Sequence, residues 1–466
     1  MTTHVNLLVL GGGPGGYVAA IRAAQLGLRV AVIEHRWWGG VCLNVGCIPT
    51  KALLRNAEVA DLVLRQSGRY GLTGQIGVDY GVGWRRSRQV ADAMAKGVRF
   101  LMGKNKIDAV DGWGMFTGPN SVIVEHGDGS SSQWSFDNAI IATGAHPKTL
   151  PGVAVAGPVM TYQDLIMADH LPKSMVIAGA GAIGVEFATI ASSYGHQVEV
   201  VEYMDRLVPS EDAAVSAELA RAFKRRGVKV HTSSAVKAVE VSPDSVAVVV
   251  EPTTGGEATS LRADALLLAL GFDANTSGFG LETTDVALDG RGFVQVDAAM
   301  RTNVGHIYAV GDVTGQMMLA HVAQAQGVVA AESIAGLPTH ELDYQMMPHA
   351  TYCDPQIASF GLTAAKAVAA GLDVKVSRFP FTANGKAQGL GEPGGFVQLV
   401  AQTGSGRLLG VHMIGTGVTE LLPELSLAAR CGLSADDVAA TVHAHPTLSE
   451  AIQQAAEGVN GCAIDL

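Results

Sequence analysis

Cysteine is scarce in this chain: five in 466 residues, at 42, 47, 353, 431 and 462. So low a count excludes a disulfide-stapled scaffold. No C-x-x-C pair stands anywhere to build a zinc site, and no metal is expected. Charge is thin as well, 16% of residues with a formal net charge of −11. No basic stripe with interleaved aromatics appears, so nucleic acid is not an expected partner. Arg85-Arg86-Ser87-Arg88, the sharpest basic cluster, reads as a solvated helix face. Long apolar runs are also lacking. Ala263 to Leu270 falls far short of the ~20 residues that span a bilayer, so no membrane association is expected. Met1-Thr2-Thr3-His4 leads almost directly into the apolar run Val5 to Leu10, without a basic n-region or an Arg-rich presequence. A cytoplasmic location is the expectation.

Glycine is what the chain has in excess: 57 residues, about 12% against the usual roughly 7%. No collagen period accounts for them, so they serve tight turns and close backbone approaches. The hydrophobic fraction of 48% supports large cores, and the length predicts three or four domains.

Two segments repeat one grammar. An apolar strand, Val5 to Leu10, leads into Gly11-Gly12-Gly13-Pro14-Gly15-Gly16 and an Ala-rich helix to about Leu26; a second strand from Arg29 ends at Glu34. Later, Met175 to Ala178 leads into Gly179-Ala180-Gly181-Ala182-Ile183-Gly184, a helix to about Tyr194, and a strand ending at Glu202. The step from first glycine to acid is 23 positions in both, 11 to 34 and 179 to 202. A lone G-x-G-x-x-G is weak evidence, but each copy follows a strand, opens a helix and has an acid about 20 residues on. The glycines permit the turn and the approach of a pyrophosphate, which the helix N-terminus favours. Glu34 and Glu202 are candidates to accept hydrogen bonds from ribose hydroxyls. A carboxylate at 202 would repel a 2′-phosphate, which favours NAD over NADP. Arg206 reads as an exposed loop residue.

Strand-to-glycine turns recur at Asn138 to Gly144, Asp264 to Gly271 and Gly305 to Asp312. After about Glu341 the pattern changes to alternating strands with two helices. The expected architecture is α/β: two Rossmann-like dinucleotide-binding domains with a C-terminal α+β domain. The expected limits are 1–150, 151–271, 272–340 and 341–466.

Cys42 and Cys47 flank Leu43-Asn44-Val45-Gly46. A straight helix would separate them by about 7.5 Å along its axis, beyond the roughly 6.8 Å that a disulfide spans between Cα atoms. The segment must therefore bend, and Asn44 and Gly46 allow it. Cys47 would then lie near a helix start, where the dipole lowers a thiol pKa. A redox disulfide is the favoured reading; a buried free pair and zinc are the bland ones. Near the far end, His443-Ala444-His445-Pro446 precedes Thr447-Leu448-Ser449-Glu450. T-x-x-E is a capping box, with Thr447 as N-cap, and accounts for Glu450 without catalysis. It does not account for His445, a candidate thiol general base; His443 reads as structural.

Gly40 to Pro49, both nucleotide fingerprints, Tyr308-Ala309-Val310-Gly311-Asp312 and His445 to Glu450 together resemble the dihydrolipoamide dehydrogenases, a branch of the disulfide-containing flavoprotein reductases. The resemblance covers essentially the whole chain. It implies FAD on Gly11, Gly13, Gly15 and Gly16, with Glu34 on its ribose and Asp312 near its ribityl chain. Further FAD contacts are implied at Lys51, Gly114, Thr143, Gly144, Met318, Leu319, Ala320 and His321. It implies NAD on Gly179, Gly181, Gly184, Glu202 and Gly271, with Glu186 pairing Lys51 beside the flavin. It also implies that Cys42 receives the substrate sulfur, that Cys47 faces the flavin, and that Glu450 orients His445. In such enzymes His445 and Glu450 would serve the other subunit of a homodimer built by the C-terminal domain. The implied partners are the lipoyl domains and acyltransferase core of a 2-oxo acid dehydrogenase complex, or a glycine cleavage complex. Phe272 departs from the pattern, where many relatives carry Arg. Competing expectations are a reductase of another disulfide such as glutathione, and a redox-inactive scaffold or NADH sensor.

Overall fold

The computed structural model describes residues 2–465. Each Gly-rich segment builds a parallel βαβ unit. Thr2–Leu10 runs beside Val30–Glu34 in the register Leu10↔Ile33, with the helix Pro14–Gln25 between them. Ser174–Ala178 and Gln197–Val201 pair in the same sense around the helix Ala182–Ser193. Val30 to Glu34 is buried throughout, as expected of a strand covered on both faces by helices.

The first sheet orders its strands Asp108–Asp111, Val30–Glu34, Thr2–Leu10, Ser131–Ile141, Ser121–Glu125 and Trp113–Gly118; Ile307–Ala309 also pairs with Ser131–Ile141. The 305–312 turn is thereby carried to the same sheet end as the first Gly loop. The second sheet orders Lys229–His231, Gln197–Val201, Ser174–Ala178, Ala265–Leu268 and Val159–Thr161, all parallel. An antiparallel meander, 234–263, interrupts it where 113–141 interrupts the first. From 349 to 415 the chain forms a five-stranded antiparallel sheet, packed against the helices Val418–Arg430 and Glu450–Gly458.

Small residues set the close packing. The helix Pro14–Gln25 buries Gly15, Gly16, Ala19, Ala20 and Ala23, and a Cβ on Gly327 of the helix Ala320–Ile334 would stand 2.6 Å from the Gly15 carbonyl oxygen. One apolar core joins Leu53 of the helix Cys47–Arg65, Phe187 of the second unit, and Ile357, Phe396 and Ile414 of the C-terminal sheet. An ion-pair network reinforces that junction. Arg226 meets Asp61 at 3.0 Å and also pairs with Asp354, while Arg65 reaches Asp61 at 3.1 Å. Arg226 and Asp61 are the buried pair of the set, so removing either leaves an uncompensated buried charge and costs more than removing the half-exposed Asp354 or Arg65. Among the described residues no helix is long and apolar enough to cross a membrane.

Candidate active site

The two Gly loops share one hydrogen-bond plan. Gly11 N–H donates to the Ile33 carbonyl at 2.9 Å, and Gly179 N–H to Val201 at 2.8 Å. Gly11 and Gly179 have φ of +108° and +105°, open to glycine and closed to most side chains. Gly16 and Gly184 close the turns: a Cβ there would stand 1.9 and 2.0 Å from the carbonyl oxygens of Gly11 and Gly179. The middle glycines differ. A Cβ on Gly181 would meet nothing within 4 Å, and one on Gly13 only the Gly40 Cα at 3.8 Å. The outer glycines therefore make the turn, and the middle one leaves room for a phosphate-bearing ligand.

The acids do more than the sequence suggests. Glu34 accepts from Gly12 N at 2.8 Å, Arg36 N at 2.7 Å and Trp37 N at 2.9 Å. Glu202 accepts from Ala180 N at 2.7 Å and Met204 N at 2.8 Å. Each carboxylate braces its own loop and retains lone pairs for a sugar hydroxyl.

The cysteines sit where the chain breaks between two helices, Gly40–Val45 and Cys47–Arg65. Gly46 makes that break alone, at φ −141° and ψ −118°; a Cβ there would press to 2.9 Å from the Val41 carbonyl oxygen. Asn44, expected to share in the bend, stays helical and ties its amide to the carbonyls of Trp38 and Gly40, each at 2.9 Å. Both are free thiols, joined by a hydrogen bond rather than a disulfide. The hydrogen bond from Cys42 holds the Cys47 pKa down against burial, and Lys51 assists. Cys42 is pushed up, first by that same bond and then by burial. Of the two thiols, Cys47 is the one whose charged form is favoured, in keeping with its place at the start of a 19-residue helix.

Lys51 lies one turn further along. Its Nζ donates to both oxygens of Glu186, at 3.0 and 2.9 Å, across 135 positions of sequence. Burial works against the ammonium, but Glu186 overrides it and raises the Lys51 pKa. Glu186 Oε1 accepts a further bond, from Tyr352 N at 2.9 Å.

These groups line a cavity of about 770 Å³ that reaches both loops. Of the expected residues, Gly11, Gly13, Gly15, Glu34, Cys42, Cys47, Lys51, Gly114, Thr143, Gly144, Asp312, Met318, Leu319 and Ala320 line it from one side. Gly181, Glu186 and Gly271 line it from the other. Gly16, Gly179, Gly184 and Glu202 do not line it. His321 turns away, its Nε2 2.8 Å from the Pro348 carbonyl oxygen. Asp312 lines the cavity with no hydrogen-bond donor to its carboxylate among the described residues, and burial alone pushes its pKa up to about 6. An unpaired acid facing a cavity beside open glycines fits a hydroxyl-bearing dinucleotide. Phe272, at the departure from the pattern, packs edge-on against Tyr162 with centroids 5.9 Å apart, both on the cavity wall. Sequence reading missed Tyr162, Phe187 and Tyr352. The first two carry only an apolar signal that any core shares.

His445 and Glu450 lie elsewhere. His445 Nδ1 is 2.8 Å from Glu450 Oε1, and Glu450 Oε2 accepts from Thr447 N at 2.8 Å. Only half of the anticipated capping box forms: the helix starts at Glu450 with Ser449 as its N-cap, and the Thr447 hydroxyl bonds the Ala444 carbonyl instead. His445 is 79% exposed and does not line the cavity of its own chain. His443 is engaged on both ring nitrogens, by Glu424 and the Thr441 carbonyl, each at 2.8 Å.

A cysteine pair at a helix start, on the wall of a cavity bounded by two nucleotide-type loops, defines a class: disulfide oxidoreductases with two dinucleotide units. The particular family follows from comparison. The pyridine nucleotide-disulphide oxidoreductase pattern matches residues 5–327 and its dimerisation domain matches 347–456, and the chain belongs to that family. It is 51% identical over 460 residues to the dihydrolipoyl dehydrogenase of Mycobacterium tuberculosis, covering 98% of this chain and 99% of that protein. It is 48% identical to that of Corynebacterium glutamicum (99% of each chain) and 41% to that of Bacillus subtilis (100% of each). Among solved structures it superposes on LpdA from M. tuberculosis with a TM-score of 0.90 at 26% identity, covering 98% of this chain and 100% of that one. It superposes on the HOCl-induced flavoprotein disulfide reductase RclA from Escherichia coli at 0.87 and 25% identity, covering 97% and 99%.

Proposed function

We propose that this chain oxidises dihydrolipoamide to lipoamide with NAD+ as final acceptor, using the Cys42–Cys47 pair and FAD. The observation that carries the reading is the placement of Cys47 at a helix start, one turn from the Lys51–Glu186 pair, on the wall of a cavity that reaches both Gly loops. FAD is assigned to the loop of Gly11, Gly13, Gly15 and Gly16, with Glu34 and Asp312 on its sugar hydroxyls. NAD is assigned to the loop of Gly179, Gly181 and Gly184, with Glu202 and Gly271. The four-part division at 150, 271 and 340 belongs to the same reading.

The steps in sulfur follow from the charges. A substrate thiol, deprotonated by His445, attacks Sγ of Cys42 in the oxidised pair; the Cys42–Cys47 bond breaks, and Cys47 leaves as a thiolate that the helix start and Lys51 stabilise. The second substrate thiol displaces Cys42 and closes the lipoamide disulfide, its proton passing to the departing Cys42 sulfur. FAD held by the first Gly loop, Glu34 and Asp312 would supply the two-electron chemistry that links the dithiol to NAD+ on the second loop. Glu450 holds His445 through Nδ1, leaving Nε2 to take the proton. The distance of His445 from its own cavity supports a homodimer in which it serves the partner's dithiol. Lipoyl domains of a 2-oxo acid dehydrogenase complex would deliver the substrate in the cytoplasm. The deciding experiment is steady-state turnover of purified protein with dihydrolipoamide and NAD+, beside NADP+ and glutathione. NAD-dependent turnover of dihydrolipoamide alone supports the proposal; turnover of glutathione instead would overturn it.

A further inference from the structure

Lys51 and Glu186 act on Cys47 with opposite sign. The ammonium favours the thiolate and the carboxylate opposes it, so the outcome depends on where the ammonium sits. Within its own helix Lys51 has only its flexible stem to place it. Two contacts from outside bound the pair, and both come from Tyr352. Its backbone N–H donates to Glu186 Oε1 at 2.9 Å, and its ring centroid lies 4.7 Å from Lys51 Nζ, inside the roughly 6 Å reach of a cation–π contact.

Tyr352 is itself firmly held. It follows the strand His349–Thr351, whose register with the next strand is His349↔Ser359, and the chain just beyond it is pinned twice. Asp354 N–H donates to Thr189 Oγ1 at 3.3 Å, and the Asp354 carboxylate pairs with Arg226. The backbone that carries the ring is thus fixed to two other parts of the chain, and the ring lies against the Lys51 ammonium on a side that Glu186 leaves open. We infer that Tyr352 is a positioning residue for the dithiol: its aromatic face holds Lys51 against Glu186 in the place from which the ammonium stabilises the Cys47 thiolate.

The inference rests on Cys47 as the flavin-facing redox thiol, but it can be tested without turnover. In reduced holoenzyme carrying Cys42→Ser, the rate of Cys47 alkylation by iodoacetamide is followed against pH by peptide mass spectrometry. Tyr352→Leu is expected to move the midpoint upward by about half to one pH unit, and Tyr352→Phe to superimpose on its parent. Tyr352→Met, which keeps bulk without a π face, is made in parallel and decides the matter if the Leu variant melts poorly. An unmoved midpoint in the ring-less variant, or an equal shift in the Phe variant, overturns the inference. Lack of dihydrolipoamide turnover by the unmodified enzyme would instead overturn the functional proposal and leave this result standing.

Discussion

In both nucleotide units the chain after the acid returns to its loop, but in the first it lays aromatic side chains over the site and in the second it leaves Tyr203 and Met204 in solvent. The return itself is common to both: Gly39 N–H donates to the Gly12 carbonyl and Val208 N–H to the Ala180 carbonyl, each at 2.9 Å; beyond Glu34, however, Trp38 is 7% exposed and bonds Asp111 through Nε1 at 2.7 Å. His35 and Trp113, 4.6 Å apart, and Trp37 under the Arg36 guanidinium line the cavity beside it. Beyond Glu202, Tyr203 and Met204 are 67% and 51% exposed, and Arg206 is occupied by its neighbour Asp205 at 2.8 Å. The loops themselves are near copies in hydrogen bonding. The difference is therefore one of cover, which suits a resident ligand in the first unit and an exchanging one in the second.

Several changes would break or sharpen that contrast. The largest effect is expected from Cys47→Ser: dihydrolipoamide turnover falls by on the order of 10³-fold or more, while NADH still reduces the flavin in a stopped-flow experiment. Loss of both activities would show that the halves cannot be separated. His445→Gln should slow steady-state turnover by roughly 10²–10⁴-fold without altering flavin content; an unchanged rate would reduce this residue to packing at a helix entry. Asp312 offers a pH test of the covered site. Its folded pKa, about 6, stands above the ordinary 3.8, so the folded apoprotein holds the proton more tightly than the unfolded chain. Stability of the apoprotein should then fall as pH rises from about 4 to about 6, by on the order of 2–3 kcal/mol. Asp312→Asn should abolish the fall in thermal melts, and flavin loading should reduce it. Smallest is the pair of acid deletions. Glu34→Ala should release flavin on gel filtration, whereas Glu202→Ala should keep it and raise KM for NAD+ about tenfold, or roughly 1.4 kcal/mol. Equal effects at both positions would erase the distinction between the units.

What could be read from the sequence was local. The paired loops were legible because a turn, a helix start and an acid lie within 23 positions of one another in each copy. The cysteine break was legible from geometry, although Gly46 alone provides it. The meander 234–263 gave no clear signal, since Val246, Val248, Val249 and Val250 blur the period-2 contrast of a half-exposed strand. Lys51 and Glu186 meet across 135 positions, and only resemblance joined them beforehand. Nothing local marks Tyr352 or Arg226, because their roles arise where three parts of the chain converge. The bracing of each loop by its own acid was likewise hidden, since spacing reveals that an acid is near but not which donors it meets.

That bracing bears on how nucleotide preference can change during descent or design. A side chain that props a turn, and that is proposed also to meet the sugar, cannot be exchanged for the second duty without forfeiting the first. Placing a basic group at 202 to welcome a phosphorylated ribose would strand the N–H groups of Ala180 and Met204, which now rest on that carboxylate. The route to a new coenzyme therefore begins beneath the loop, with a substitute acceptor for those two donors, and reaches position 202 only afterwards.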